Sequence, residues 1–170
     1  MIKVAIIGCG KMADQHAVQI QRISDAVIVA VCDSEPLMAR QMAERFNIEM
    51  CFTDVQEMLD KTKPDVVHIT TPPASHYPLA KQCLDSGCNV YVEKPFTLDT
   101  LEAEALIRLA DQKNLKITAG HNAQFTHAMI KMRQLVKNGY LGGAPVHIES
   151  HYCYDFGDIS YAKAILGDDN

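Results

Sequence analysis

Three short segments of the chain combine residue types that can hold a charged ligand or move a proton. The first is Gly8-Cys9-Gly10-Lys11-Met12-Ala13, set between an apolar run and a helical one, which fits the pattern G-x-G-x-x-G/A. In such a turn Gly8 permits the tight bend, Gly10 lets the main chain approach a pyrophosphate, and Ala13 is small enough for close helix–strand packing. The helix that opens at Lys11 and Met12 then turns free N–H groups toward the anion. Glycines at such a place also serve a turn and nothing more. Asp33 extends the pattern, because a carboxylate at the end of the second strand can accept from both ribose hydroxyls while repelling a 2′-phosphate. Ser34 and Glu35 follow it, with no arginine beside them to neutralise that phosphate, so NAD is expected in preference to NADP. The other reading of Asp33 is a helix cap.

The second and third segments are Thr70-Thr71-Pro72-Pro73-Ala74-Ser75-His76 and Glu93-Lys94-Pro95. Each follows a strand at its carboxyl end, the edge at which open α/β sheets bind ligands. Lys94 is the sharpest candidate for proton transfer, since a lysine near a nicotinamide could bond a substrate oxygen and exchange its proton, given partial burial to lower its pKa. A lysine before a proline is equally a solvated surface residue. His76 opens a helix and either packs there or lines a cofactor site, and Asn122 either bonds a cofactor amide or substrate hydroxyl or simply shapes a turn. The six cysteines include no Cys-x-x-Cys pair and read as reduced core thiols, not zinc ligands. His147, Glu149, His151, Cys153 and Asp155 alternate along one face of a late strand. Alternate strand positions lie ~6.6 Å apart, poor spacing for one tetrahedral ion, so a solvated or subunit-facing strand is expected and no metal site.

The elements that must position these residues follow from apolar periodicity. Short β-rich runs at residues 2–7, 27–32, 50–53, 66–70, 89–92 and 116–119 alternate with helical stretches at 11–23, 36–46, 54–63, 76–86, 100–113 and 125–138. Met12, Ala13, His16, Ala17, Ile20 and Ile23 form the stripe of the first helix. Asp54 and Glu57 look like a capping box, and Gly87 like a left-handed helix end. This grammar predicts an α/β fold: a doubly wound parallel sheet of the Rossmann type with helices on both faces. After Leu141-Gly142-Gly143-Ala144-Pro145 the pattern changes to polar/apolar alternation over residues 146–154, read as the start of an antiparallel-sheet α+β domain.

Composition narrows the classes further. The 170 residues carry a net charge of −5 and no basic run, which makes nucleic acid an improbable partner. Apolar runs fall far short of the ~20 residues that span a membrane, and the amino terminus lacks a signal-peptide pattern, so a cytoplasmic chain without membrane contact is expected. At 48% hydrophobic and 22% charged residues the chain can build a sizeable core.

Taken in order, Gly8-x-Gly10-x-x-Ala13, Asp33, Thr71-Pro72 with His76, Glu93-Lys94-Pro95 and the segment around Asn122 resemble the Gfo/Idh/MocA oxidoreductases, the glucose–fructose oxidoreductase and inositol dehydrogenase group, over residues 1–154. The resemblance implies NAD-dependent hydride transfer between nicotinamide and a secondary alcohol or ketone of a sugar, sugar nucleotide or cyclitol. It implies that Lys94 is catalytic, that Glu93 lines the nicotinamide pocket and that the Lys94–Pro95 peptide is cis. Two alternatives within the family stay open: an NAD-dependent glycoside hydrolase and a non-catalytic dinucleotide-binding regulator. The family's second domain, which contributes an aspartate and a histidine, has no counterpart here. The expectation is therefore an amino-terminal part, with residues 1–122 as dinucleotide-binding domain and 123–170 as connecting helix and first strand of an incomplete substrate and oligomerisation domain. Such a part is expected to bind cofactor without appreciable catalysis, and its unpaired strand edge favours a homo-oligomer.

Overall fold

The alternation of short apolar runs with helical stretches becomes an alternation of strands and helices in the computed structural model, which describes residues 1–140 and 142. β1 (Ile2–Ile7) leads through the glycine turn into α1 (Lys11–Ile20), and β2 (Ala26–Cys32), α2 (Pro36–Phe46), β3 (Met50–Phe52) and α3 (Val55–Thr62) follow. β4 (Val66–Ile69), a 3₁₀ turn (Pro73–Ser75), α4 (His76–Asp85), β5 (Asn89–Val92), α5 (Thr100–Gln112) and β6 (Ile117–Ala119) complete the sheet and its helices. A second 3₁₀ turn (Asn122–Phe125) precedes α6 (His127–Lys137).

All strand pairings are parallel, in the order β3-β2-β1-β4-β5-β6. The chain starts in the middle of the sheet, winds out to β3, then crosses by α3 to β4 and winds out the other way. On one face Ala13, Ala17 and Met42 pack against Val4, Ile6 and Val31. On the other Met58, Leu84 and Leu106 pack against Ala5, Ile7, Val67 and Val90. Successive residues of β1 thus feed opposite cores, which is why its sequence is continuously apolar. The winding reverses between β1 and β4, so the loops after these two strands diverge and leave a crevice at the carboxyl edge. This is the Rossmann arrangement.

Some boundaries differ from the periodic reading. α1 stops at Ile20, because the bonds Arg22 N–H to Gln19 O and Ile23 N–H to Ile20 O turn the chain toward β2, leaving Ile23 51% exposed. The last helix begins at His127 under a Thr126 cap, with Phe125 exposed in the preceding turn. Asp54 caps α3 by accepting from Glu57 N–H, but the Glu57 carboxylate pairs with Lys61, so only half of the capping box forms. Cys51 is not a core thiol: it lies exposed on the edge strand β3, while Cys9, Cys32, Cys83 and Cys88 are buried. Met1–Asn122 forms one compact unit, and α6 belongs to a second. In the second, α6 follows a turn in which the Arg133 guanidinium donates to Gln124 O. The strand expected at residues 146–154, with His147, Glu149, His151, Cys153 and Asp155, lies outside the described residues. No helix among the described residues is long and apolar enough to cross a membrane.

Candidate functional site

The crevice between the ends of β1 and β4 holds a cleft of about 700 Å³ whose walls include Gly8, Gly10, Lys11, Met12, Asp33, Thr71 and Pro72. Gly8 has φ +89°, and a Cβ there would come within 2.8–2.9 Å of the Thr71 methyl and main-chain nitrogen. The turn therefore requires glycine on two counts, backbone conformation and the passage of the β4 loop. At Gly10 the situation is the reverse: a Cβ would meet nothing within 4 Å. Gly10 is also the N-cap of α1 and makes no side-chain cap bond, so the helix end meets the cleft as bare main chain. Ala13, one helical turn inside, is fully buried and lets α1 lie close on the sheet.

Asp33 leaves β2 with both carboxylate oxygens anchored by main chain. Oδ2 accepts from Cys9 N–H at 2.7 Å and Oδ1 from Glu35 N–H at 2.9 Å. The side chain thereby ties the glycine turn to the end of β2 and shapes the approach to α2, while still forming part of the cleft wall. Asp33 is therefore not the cap of α2, whose N-cap is Glu35 without a side-chain cap bond, but a tie between two loops at the ligand edge. The charge also acts on its neighbour: burial first, then Asp33, pushes the Cys9 thiol up to about 12.

Across the cleft the β4 loop is cross-braced. Thr70 Oγ1 donates to Gly8 O at 2.7 Å, and Ser75 Oγ donates to Thr71 Oγ1 at 2.7 Å. His76 is fully buried, with ring nitrogens 2.8 Å from Thr71 O and from Pro95 O. Its place is between the loops after β4 and β5, which it ties together from behind, and it is absent from the cleft wall. Met38 and Val55 line the cleft without having been singled out from sequence, and Thr70 and Ser75 were named there only as part of the segment after β4. The signal for Met38 and Val55 was positional only, since they lie in the first turns of α2 and α3.

A second cleft, of about 690 Å³, runs beside α1 and is lined by Met12, His16, His68, Tyr91, Glu93 and Asn122 among others. Met12 borders both clefts. Glu93 is buried beyond β5, its Oε1 3.0 Å from His16 Nε2 and its Oε2 accepting from Lys94 N–H at 3.2 Å. His16 and His68 are hydrogen-bonded through their Nδ1 atoms at 2.8 Å, and burial, followed by the nearness of His16, lowers His68 to about 4. His68 and Tyr91 are partners in the β4–β5 register, and their rings stack at 4.8 Å. Neither histidine was singled out from sequence as a site residue, although His16 on a helix stripe and His68 at an inward strand position were available signals. Lys94 is exposed, so the partial burial expected of it is not supplied by the described residues. The Lys94–Pro95 peptide is cis. Asn122 is exposed and opens the 3₁₀ turn after β6.

Residues 2–121 match the profile of an oxidoreductase family with an NAD-binding Rossmann fold. A D-glucoside 3-dehydrogenase of Escherichia coli is 34% identical over 142 residues, 83% of this chain and 40% of that protein. A myo-inositol 2-dehydrogenase of Thermotoga maritima is 25% identical over 83% of this chain and 42% of its own length. Among solved structures, scyllo-inositol dehydrogenase from Lactobacillus casei with bound NAD(H) and scyllo-inositol superposes with a TM-score of 0.78 at 28% identity, over 84% of this chain and 42% of that one. GenD2 from gentamicin A biosynthesis, in complex with NAD, does so with a TM-score of 0.78 at 27% identity, over 82% of this chain and 40% of that one. The chain thus spans about two fifths of the length of the curated relatives it matches.

Proposed function

Because the chain belongs to the Gfo/Idh/MocA oxidoreductases, a family with an NAD-binding Rossmann fold, we propose that it holds NAD in the cleft over Gly8–Ala13 and that the complete protein is a dehydrogenase of a sugar, sugar nucleotide or cyclitol. The observation that carries this reading is the bare α1 N-terminus at Gly10, open where a Cβ would sit and facing the 700 Å³ cleft with Asp33 in its wall. An anionic diphosphate suits uncapped helix N–H groups, and a glycine with free space at its α-carbon lets it approach. Asp33, already oriented by two N–H donors, is set to accept from ribose hydroxyls, and its charge opposes a 2′-phosphate. Glu93 and Asn122 border the neighbouring cleft, where a nicotinamide and a substrate hydroxyl would be met.

NAD, when bound, supplies the two-electron hydride acceptor. The share of Lys94 is the proton: its neutral amine takes the hydroxyl proton of a secondary alcohol, and its ammonium form returns a proton to the carbonyl oxygen in the reverse direction. The sugar and cyclitol alcohols named for the relatives support this substrate class.

Fluorescence titration with NADH and NADPH tests the cofactor reading, with saturable and clearly tighter NADH binding expected. Lys94→Ala in the complete gene product should lower turnover by ~10²–10⁴-fold with little change in NADH affinity. Unchanged turnover would remove Lys94 from the chemistry, and equal failure of both nucleotides to bind would remove the cleft.

A further inference from the structure

What the structure fixes about Lys94 is its main chain. Its N–H donates to Glu93 Oε2 at 3.2 Å, and the carbonyl of the next residue, Pro95, lies 2.8 Å from His76 Nδ1. The direction in which the lysine leaves the sheet therefore depends on where the Glu93 carboxylate is held. That carboxylate is only 8% exposed, and a buried carboxylate keeps its place through its partners. On one side stands Gly120, whose lack of a side chain makes room for the group, since a Cβ there would come within 2.9 Å of Oε1. On the other side stands His16.

His16 is itself held. The stacked rings of His68 and Tyr91, partners across β4 and β5, meet its edge at centroid distances of 5.1 and 5.3 Å and interplanar angles of 88° and 80°. The contact with His68 Nδ1 fixes the ring's rotation and leaves Nε2 3.0 Å from Glu93 Oε1. A continuous set of contacts thus runs from the sheet through His16 and Glu93 to the Lys94 amide. His16 also lies on α1, the helix whose first turn borders the proposed diphosphate cradle.

We propose that His16 is a positioning residue for Lys94: through Glu93 it sets the main chain from which the lysine reaches substrate, and it ties that loop to the helix bearing the cofactor turn. The inference rests on the reading of Lys94 as the proton-transfer group. Displacing a reacting group by about 1 Å can lower a rate by about 10²-fold, so a large effect on turnover with a small one on binding is expected.

The test uses the complete gene product with NAD and any polyol that turns over, and compares His16→Leu, His16→Gln and Lys94→Ala. His16→Leu should lower kcat by about 10- to 100-fold with NADH Kd within about twofold, and should move the Lys94 amide proton shift. His16→Gln, whose amide N–H can reach Oε1, should restore most of kcat and of that shift. The double variant His16→Leu/Lys94→Ala should be no slower than Lys94→Ala, because His16 acts through the lysine. If His16→Leu fails to fold, His16→Asn, polar but too short for Oε1, replaces it with the same expected loss. Wild-type kcat and amide shift in the His16 variants, with Lys94→Ala impaired, would overturn the positioning role alone. Wild-type kcat in Lys94→Ala would instead overturn the underlying reading of Lys94.

Discussion

The two fingerprint glycines are required for different reasons, and single substitutions separate them. Gly8→Ala places a methyl against Thr71 main chain and side chain in a positive-φ conformation. It should destabilise the fold by about 2–4 kcal/mol, measured by urea unfolding. Gly10→Ala meets open space, so it should cost only about 1 kcal/mol or less, that of a poorer N-cap, while NADH affinity should fall because the methyl enters the place proposed for the diphosphate. Equal stability losses at both positions would contradict this division. Burial also decides thiol chemistry residue by residue. Cys9 and Cys32 are pushed up to about 12 and about 11, chiefly by desolvation, and Cys83 and Cys88 are raised as well. Peptide mapping after brief alkylation of the native chain should therefore find Cys51 modified well ahead of these four.

At the scale of elements, β4 carries a pH dependence. Unfolded, His68 takes up a proton near its ordinary value of 6.5, whereas in the folded sheet burial, with His16 beside it, postpones this to about 4. Between those values the unfolded chain binds more protons, so stability is full above about pH 6.5 and falls as the pH drops toward 4, by up to about 3 kcal/mol. Denaturation at pH 7 and pH 5 should show the loss, and His68→Gln should flatten it. The start of α3 was legible because a side chain signals it: Asp54 caps α3 as its position suggests, whereas the Asp99 cap of α5 was not read from the sequence. Asp54→Ala should destabilise by about 1 kcal/mol. The end of α1 was not legible, because Ile23 keeps the helical period while the chain has already turned to begin β2. Periodicity records which side chains are apolar, and strand pairing decides where a helix must stop.

For the whole molecule, a fragment of residues 1–122, cut at the limit of the first compact unit, should unfold cooperatively and bind NADH, as followed by circular dichroism and fluorescence. A fragment without a cooperative transition would show that this unit depends on the chain beyond it. The strand order, and with it the crevice between β1 and β4, came only with the folded sheet, but its parallel, doubly wound character was visible in the alternation of apolar runs with helical stretches. The glycine turn, Asp33 and the Glu93-Lys94-Pro95 segment were likewise visible in the sequence, because each sits at a strand end where local spacing alone assigns it to the ligand edge. Tertiary structure alone decided what those residues touch. His76, read as a packing or cofactor-lining residue, became a buried tie between two loops, and Asp33 an anchor for the Cys9 amide. His16 met Glu93 across 77 positions of chain. Sequence patterning reports periodicity, which follows from the local geometry of helix and strand. A hydrogen bond between distant residues depends on the register of strands and the depth of a helix on the sheet, and only the packed molecule sets both.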